Sequence, residues 1–167
     1  MTLTDATRAH WAQILLINEG SVHFLSPWSA DRLAFLHDHA AYHKVVLDDE
    51  RVAAFLMAFA PDAPYDSVNY QWFEARLTDF LCVDRVVVAP CARGQGLASR
   101  LYRDLFDQAR ARGIAQVVCE FDIDPPNPVS EAFHRRFGFS EMGKQQVAGG
   151  SKWVSLQGAP VLPGAGA

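Results

Sequence analysis

Apolar and polar positions alternate along this chain in two periods, one close to four residues and one close to two. The plainest four-residue repeat lies at 95–112. There Leu97, Leu101, Leu105 and Ala109 form one stripe with Phe106 beside it. Arg100, Arg103, Asp104, Asp107 and Arg110 take the opposite face, which predicts an amphipathic helix. Gly113 suits the position just past its end. Short β-branched and apolar runs at 45–47, 52–59, 81–89 and 116–121 read as strands. Asp48-Asp49-Glu50-Arg51 reads as the hairpin turn between the first two. The run 81–89 is unusual, because Asp84 and Arg85 sit inside it.

The remaining elements are marked by their ends. Thr4 or Asp5 can cap a helix that carries Trp11, Ile14, Leu15 and Ile17, with room for a short strand near 2–3. Ser26-Pro27 reads as a second helix start, with Leu33, Phe35 and Leu36 inside the helix. Residues 61–66 read as loop and 69–73 as a short aromatic helix or turn. Tyr65, Tyr70, Trp72 and Phe73 there either line an acceptor pocket or pack over a sheet edge. Residues 122–126 read as loop. Asn127 suits an N-cap and Pro128 the first helical position, Phe133 and Phe137 lie one turn apart, and Gly138 ends the helix. Stretches 139–147 and 152–156 form a terminal hairpin across Gly149-Gly150. Together these predict a mixed α/β sheet.

Composition narrows the class. At 167 residues, one domain over 1–157 is expected, with the Gly/Ala/Pro-rich tail 158–167 disordered. Half of the residues are hydrophobic and 20% charged, as in ordinary soluble proteins. A net charge of −4 offers no basic field for nucleic acid. No run is apolar enough to suggest a membrane span. Cys82, Cys91 and Cys119 are an odd set without Cys-x-x-Cys spacing. They read as reduced thiols of a cytoplasmic protein, with neither a disulfide framework nor a metal site.

The chemistry concentrates where the 81–89 strand meets the long helix. Val86, Val87 and Val88 lead through Pro90 into Arg93-Gly94-Gln95-Gly96-Leu97-Ala98-Ser99. The two glycines let the backbone turn sharply and a ligand come close. The first N–H groups of the helix have no internal partner, and its dipole favours an anion there. Strand, glycine turn and helix start therefore make a phosphate cradle. A triphosphate loop would need Gly-Lys-Ser/Thr, and this chain has Gly96-Leu97-Ala98. A dinucleotide fingerprint would end in Gly or Ala where Ser99 stands.

The pattern Arg93-x-x-Gly96-x-Ala98 resembles the acyl-CoA pyrophosphate loop of the GNAT N-acetyltransferase superfamily. Further on, Asn127-x-x-Ser130 and His134-x-x-x-Gly138-Phe139 resemble that superfamily's Asn-x-x-Ala-x-x-x-Tyr-x-x-x-Gly-Phe segment. The likeness covers 81–156 and looks closest to a little-characterised subgroup with Pro-Pro-Asn-Pro, here 125–128. It implies a mostly antiparallel twisted sheet of about six or seven strands with flanking helices. It further implies a V-shaped split between two central parallel strands. Acetyl-CoA would lie there, its arm paired with Val86 and Val88 and its pyrophosphate on the amides of 93–99. Arg100 or Arg103 would meet the outer phosphate, or else serve as a solvated helix face. Asn127 would face the pantetheine arm, or else act only as the N-cap.

His134 stands where the superfamily commonly has a tyrosine acid. It is either the acid for the leaving thiolate or a structural residue of the helix. Asp84, on the parity of Val86, is a candidate base, unless it is only the ion partner of Arg85. Glu120 is its rival. The expected activity is transfer of acetyl from acetyl-CoA to a primary amine, small molecule or peptide, by direct attack without a metal. An acyl-CoA sensor or scaffold without turnover is the alternative, and a nucleotide-dependent oxidoreductase survives only on the loop glycines. An open sheet edge is compatible with a homodimer.

Overall fold

The computed structural model describes residues 1–21 and 25–163. In chain order the elements are β1 (Thr2–Asp5), α1 (Trp11–Glu19), α2 (Ala30–His39), β2 (Tyr42–Asp48), β3 (Arg51–Phe59), α3 (Val68–Glu74) and β4 (Leu81–Val88). They continue with α4 (Leu97–Ala111), β5 (Gln116–Asp124), α5 (Pro128–Arg136), β6 (Ser140–Val147) and β7 (Lys152–Pro160). The seven strands form one sheet in the order β1-β2-β3-β4-β5-β7-β6. It is mostly antiparallel, with β4 and β5 as its parallel pair.

The chain divides into two compact units. The first comprises Met1–Phe59 and Asp84–Asp107. In it β2 and β3 pair from Tyr42↔Ala58 to Asp48↔Arg51, and β1 adds antiparallel from Thr2↔Leu47. Eight of the nine residues of β3, Val52 to Phe59, are Val, Ala, Phe, Leu or Met, and all eight are buried. A strand apolar on both parities must be covered on both faces. Ile14 of α1 and Leu33 and Leu36 of α2 are fully buried, and so are Leu101 and Leu105 on the apolar stripe of α4. Tyr42 Oη donates to Asp104 Oδ2 at 2.9 Å, and Lys44 Nζ pairs with that same oxygen at 2.9 Å.

The second unit comprises Ala60–Val83 and Gln108–Ala167. Its β5 and β7 pair from Gln116↔Pro160 to Asp124↔Trp153, and β6 pairs with β7 from Ser140↔Gly158 to Val147↔Lys152. Tyr70 and Phe73 of α3 are buried. Tyr70 Oη donates to Ala60 O at 2.7 Å.

Four boundaries differ from the sequence reading. Residues near Thr4 form β1, and Thr7 is the residue ahead of the first helical turn, Arg8–His10. Helix α2 is capped by Ser29, which accepts from Arg32 N, and not by Ser26. Strand β5 runs on to Asp124, because β7 supplies partners as far as Trp153. Strand β7 runs on to Pro160, so 158–160 are ordered sheet where tail was expected. Val161 N then donates to Ala115 O at 2.9 Å. Of the expected tail, residues 164–167 lie outside the described residues.

Candidate active site

The cradle belongs to the first unit. After β4, Ala89 N donates to Ala53 O of β3 at 2.8 Å, which fixes the strand's exit. Pro90–Ala92 make one tight turn, and Arg93 resumes extended backbone. Gly94 and Gly96 then take φ of +77° and +73°, the left-handed region that L side chains avoid. A Cβ at either position would meet nothing within 4 Å. The glycines are therefore required by dihedral and not by crowding. Residues 93–96 are exposed, while Leu97 is buried and anchors the first turn of α4. The helix ladder opens with Arg100 N to Gly96 O at 3.0 Å. Amides ahead of Arg100 have no carbonyl four residues back within the helix, and the helix dipole favours an anion at that end. Such a turn can hold a diphosphate. Arg100 itself reaches Met1 O with Nη1 at 3.0 Å, while Ala98 and Ser99 are half-buried in the first turn.

Strand β4 alternates from Val83 onward. Arg85 and Val87 are buried, whereas Asp84, Val86 and Val88 are half-buried on the other parity. Its parallel register with β5 is Leu81↔Val117 and Cys82↔Val118. Val86 and Val88 stand beyond the last of these pairs.

Asp84 takes the ion-pair alternative. Its Oδ2 accepts from Arg85 Nε at 2.6 Å, with both side chains at most 7% exposed. Arg85 spends further N–H groups on Asn18 Oδ1 at 2.8 Å, Ser26 O at 2.9 Å and Ser26 Oγ at 3.1 Å. Its guanidinium also lies 3.8 Å above the Trp28 ring. Sequence reasoning singled out Arg85 only as a partner for Asp84. The signal for more was present: a guanidinium has five N–H groups, and one carboxylate cannot satisfy them all in an apolar strand.

The other candidates belong to the second unit. Asn127 Oδ1 accepts from Ser130 N at 3.2 Å, so it is the N-cap of α5, with Pro128 in the first turn. Its side-chain NH₂ is left for any ligand role. His134 is buried, stacked on Phe121 at 5.6 Å and edge-on to Phe139 at 5.2 Å. Its Nδ1 lies 2.7 Å from Ser130 O. A carbonyl only accepts, so Nδ1 carries the hydrogen. Burial pulls the imidazole down to about 4, against a smaller upward effect of the Ser130 hydrogen bond. At neutral pH it is therefore uncharged. Glu120 is half-buried on β5, and burial, with Glu120 beside it, pushes the Cys119 thiol up. Cys82 and Cys119 are buried and Cys91 is exposed. Among the described residues, no cluster of three His, Cys, Asp or Glu is placed to hold a metal. Among them too, no helix is long and apolar enough to cross a membrane.

Comparison with known proteins agrees with this geometry. Residues 9–139 match the Acetyltransferase (GNAT) family. A phosphinothricin N-acetyltransferase of Streptomyces coelicolor is 39% identical over 64 residues, which are 38% of this chain and 36% of that relative. The match thus spans little more than a third of the relative's length. The ribosomal-protein-S18-alanine N-acetyltransferase of Escherichia coli superposes with a TM-score of 0.72 at 18% identity, over 99% of this chain and 96% of that one. Ard1 of Thermoplasma volcanium superposes with a TM-score of 0.77 at 14% identity, over 96% and 97%. At such identities these two likenesses concern the fold.

Proposed function

Because the chain belongs to the acetyltransferase (GNAT) family, we propose that it transfers acetyl from acetyl-CoA to a primary amine by direct attack. The observation that carries this reading is the turn at 93–99, exposed over 93–96. There, two left-handed glycines with open space at their α-carbons lead into the unpartnered amides of α4. Those features fit a diphosphate. Arg93, Gly94, Gln95, Gly96, Leu97, Ala98 and Ser99 hold it through backbone N–H groups, which offer directed donors without a Lys side chain.

Backbone groups of Val86 and Val88 take the donor's arm as an added strand would be taken. Val87 points the other way and is buried, which holds this stretch of β4 still. Acetyl-CoA supplies an activated thioester carbonyl. The N–H groups of β4 polarise that carbonyl, and the main service of the protein is to align two reactants. Asp84 and Glu120 are the two proposed bases, and Glu120→Gln probes the second. His134 is assigned a positioning role. An uncharged imidazole whose Nδ1–H is held by Ser130 has no spare proton for a thiolate, and the thiolate is stable enough to leave and be protonated by water.

The experiment is thiol release from acetyl-CoA with a panel of primary amines: phosphinothricin, a polyamine, an aminoglycoside and a short peptide with a free N-terminus. Amine-dependent release with one of them is expected. Tight CoA binding with no release from any amine would contradict transfer and favour a sensor that holds acyl-CoA without turnover.

A further inference from the structure

A cavity of about 420 Å³ belongs wholly to the second unit. Small-molecule sites fall in this size range. Its lining comes from β5, α5, β6 and β7, and no residue of β4 or of the turn at 93–99 takes part. The sheet side follows from register. Phe121 lies opposite Ser155, and Ser155 opposite Lys144. Gln157 lies opposite Glu141. Directly paired residues share a face, and so do residues two apart on one strand. Glu141 and Lys144 are three apart, which in a regular strand would put them on opposite faces. A bulge between Glu141 and Gly143 brings both to the cavity side.

Ser155 and Gln157 are the buried polar part of the lining, 1% and 7% exposed. Packing alone does not call for them, because a buried polar group is costly unless it is bonded. Gln157 Nε2 donates to Ser155 Oγ at 2.6 Å, and Ser155 Oγ donates to Glu141 Oε2 at 2.6 Å. This chain fixes one oxygen of Glu141. Its other oxygen, Oε1, has Lys144 Nζ at 3.7 Å, beyond hydrogen-bond length. On α5, Arg135 donates from Nη2 to Glu131 Oε1 at 2.7 Å and keeps the rest of its N–H fork. Both ion pairs are exposed, and such pairs contribute little, so they yield readily to a ligand. The two carboxylates cancel the two cations, so the lining favours neither a simple anion nor a simple cation. The remaining wall is apolar, made by Phe121, Ile123 and Phe139.

We propose that this cavity is a binding site for a free α-amino acid with an apolar side chain. Its ammonium meets Glu141 Oε1, its carboxylate meets Arg135 and Lys144, and its side chain lies against Phe121, Ile123 and Phe139. A zwitterion satisfies both signs of charge at once, and the chain from Gln157 through Ser155 holds the ammonium's partner in place. The site uses no residue of the donor turn, so it stands or falls apart from the transfer reading.

The test is calorimetry and thermal shift on the full chain with L-leucine as probe. Two analogues each lack one charge: 4-methylpentanoate has no ammonium and 3-methylbutylamine has no carboxylate. Saturable leucine binding with a Kd of about 1 mM or tighter is expected, and each analogue should bind at least about tenfold more weakly. Arg135→Ala and Glu141→Gln should each weaken leucine at least about tenfold, with CoA affinity within about twofold of wild type. Glu141→Gln keeps an oxygen for Ser155 and removes only the charge. No saturable binding of leucine up to about 20 mM overturns the proposal. Equal binding of either analogue overturns it too, because the site then does not read a zwitterion. Leucine binding that both folded variants leave unchanged shows that it is held elsewhere, as an acceptor of the transfer reaction would be, and also overturns it. If Glu141→Gln does not fold, Arg135→Ala decides on the same criterion, since its side chain is 74% exposed. Loss of CoA binding by wild type would overturn the donor reading and leave this one standing.

Discussion

Single side chains here are read by what they are tied to. His134 shows this best. Its place in the Gly-Phe segment suggested an acid, but acidity needs a charge that the site does not support. Phe121, Phe133 and Phe139 surround the ring, and Ser130 holds the one N–H. The folded state therefore prefers the neutral form, with the imidazole drawn from about 6.5 to about 4. Its stabilising contribution is complete above pH 6.5 and is lost as pH falls from there to 4, because the unfolded chain binds the proton first. Denaturant unfolding at pH 7.5 and 4.5 should show that His134→Gln removes on the order of 2–3 kcal/mol of the pH-dependent difference in stability. An unchanged difference would mean that the imidazole is already charged in the folded protein, which would restore it as an acid. Ser26 teaches the converse lesson. Ser-Pro is a good helix start, and sequence alone could not reveal that Arg85, 59 residues on, takes both its oxygens.

At the scale of elements, what local rules govern was legible and what pairing governs was not. Helix α4 follows from its four-residue stripe and Gly113, whose φ is +69°. Helix α5 follows from Asn127 and Pro128. Strand ends were missed because a partner decides them. Asp122 looked like loop, yet it pairs opposite Val154 and accepts from Lys152 Nζ at 3.0 Å. Gly158 looked like tail, yet it pairs with both Val118 and Ser140. Two glycines of this hairpin make a graded prediction. A Cβ on Gly143 would come within 2.6 Å of the Trp72 ring, itself pressed under Arg76 at 4.0 Å. A Cβ on Gly158 would come within 2.6 Å of Met142 Sδ, the end of a flexible chain. Gly143→Ala should cost about 1–3 kcal/mol by overpacking, and Gly158→Ala clearly less. Equal losses in denaturant unfolding would show that Trp72 yields as easily as Met142.

For the whole molecule, strand order, the parallel β4–β5 pair and the family agree on an acetyltransferase fold. The glycine turn proposed as the donor cradle was legible as a turn because its glycines and helix start lie within seven consecutive residues. The ties of Arg85 to Asn18 and Ser26 were not, because they join segments far apart in sequence. The central claim is that bare amides at 93–99 hold the diphosphate of CoA, and calorimetry of CoA against wild type and Gly96→Glu tests it most directly. In this variant the new Cβ meets nothing within 4 Å. The left-handed φ costs it about 1–2 kcal/mol, so the melting temperature should fall by only about 2–8 °C. Its carboxylate nevertheless puts a like charge in the cradle, and CoA affinity should drop at least about a hundredfold, some 2.7 kcal/mol. Undiminished affinity in a folded Gly96→Glu protein would show that CoA is held elsewhere.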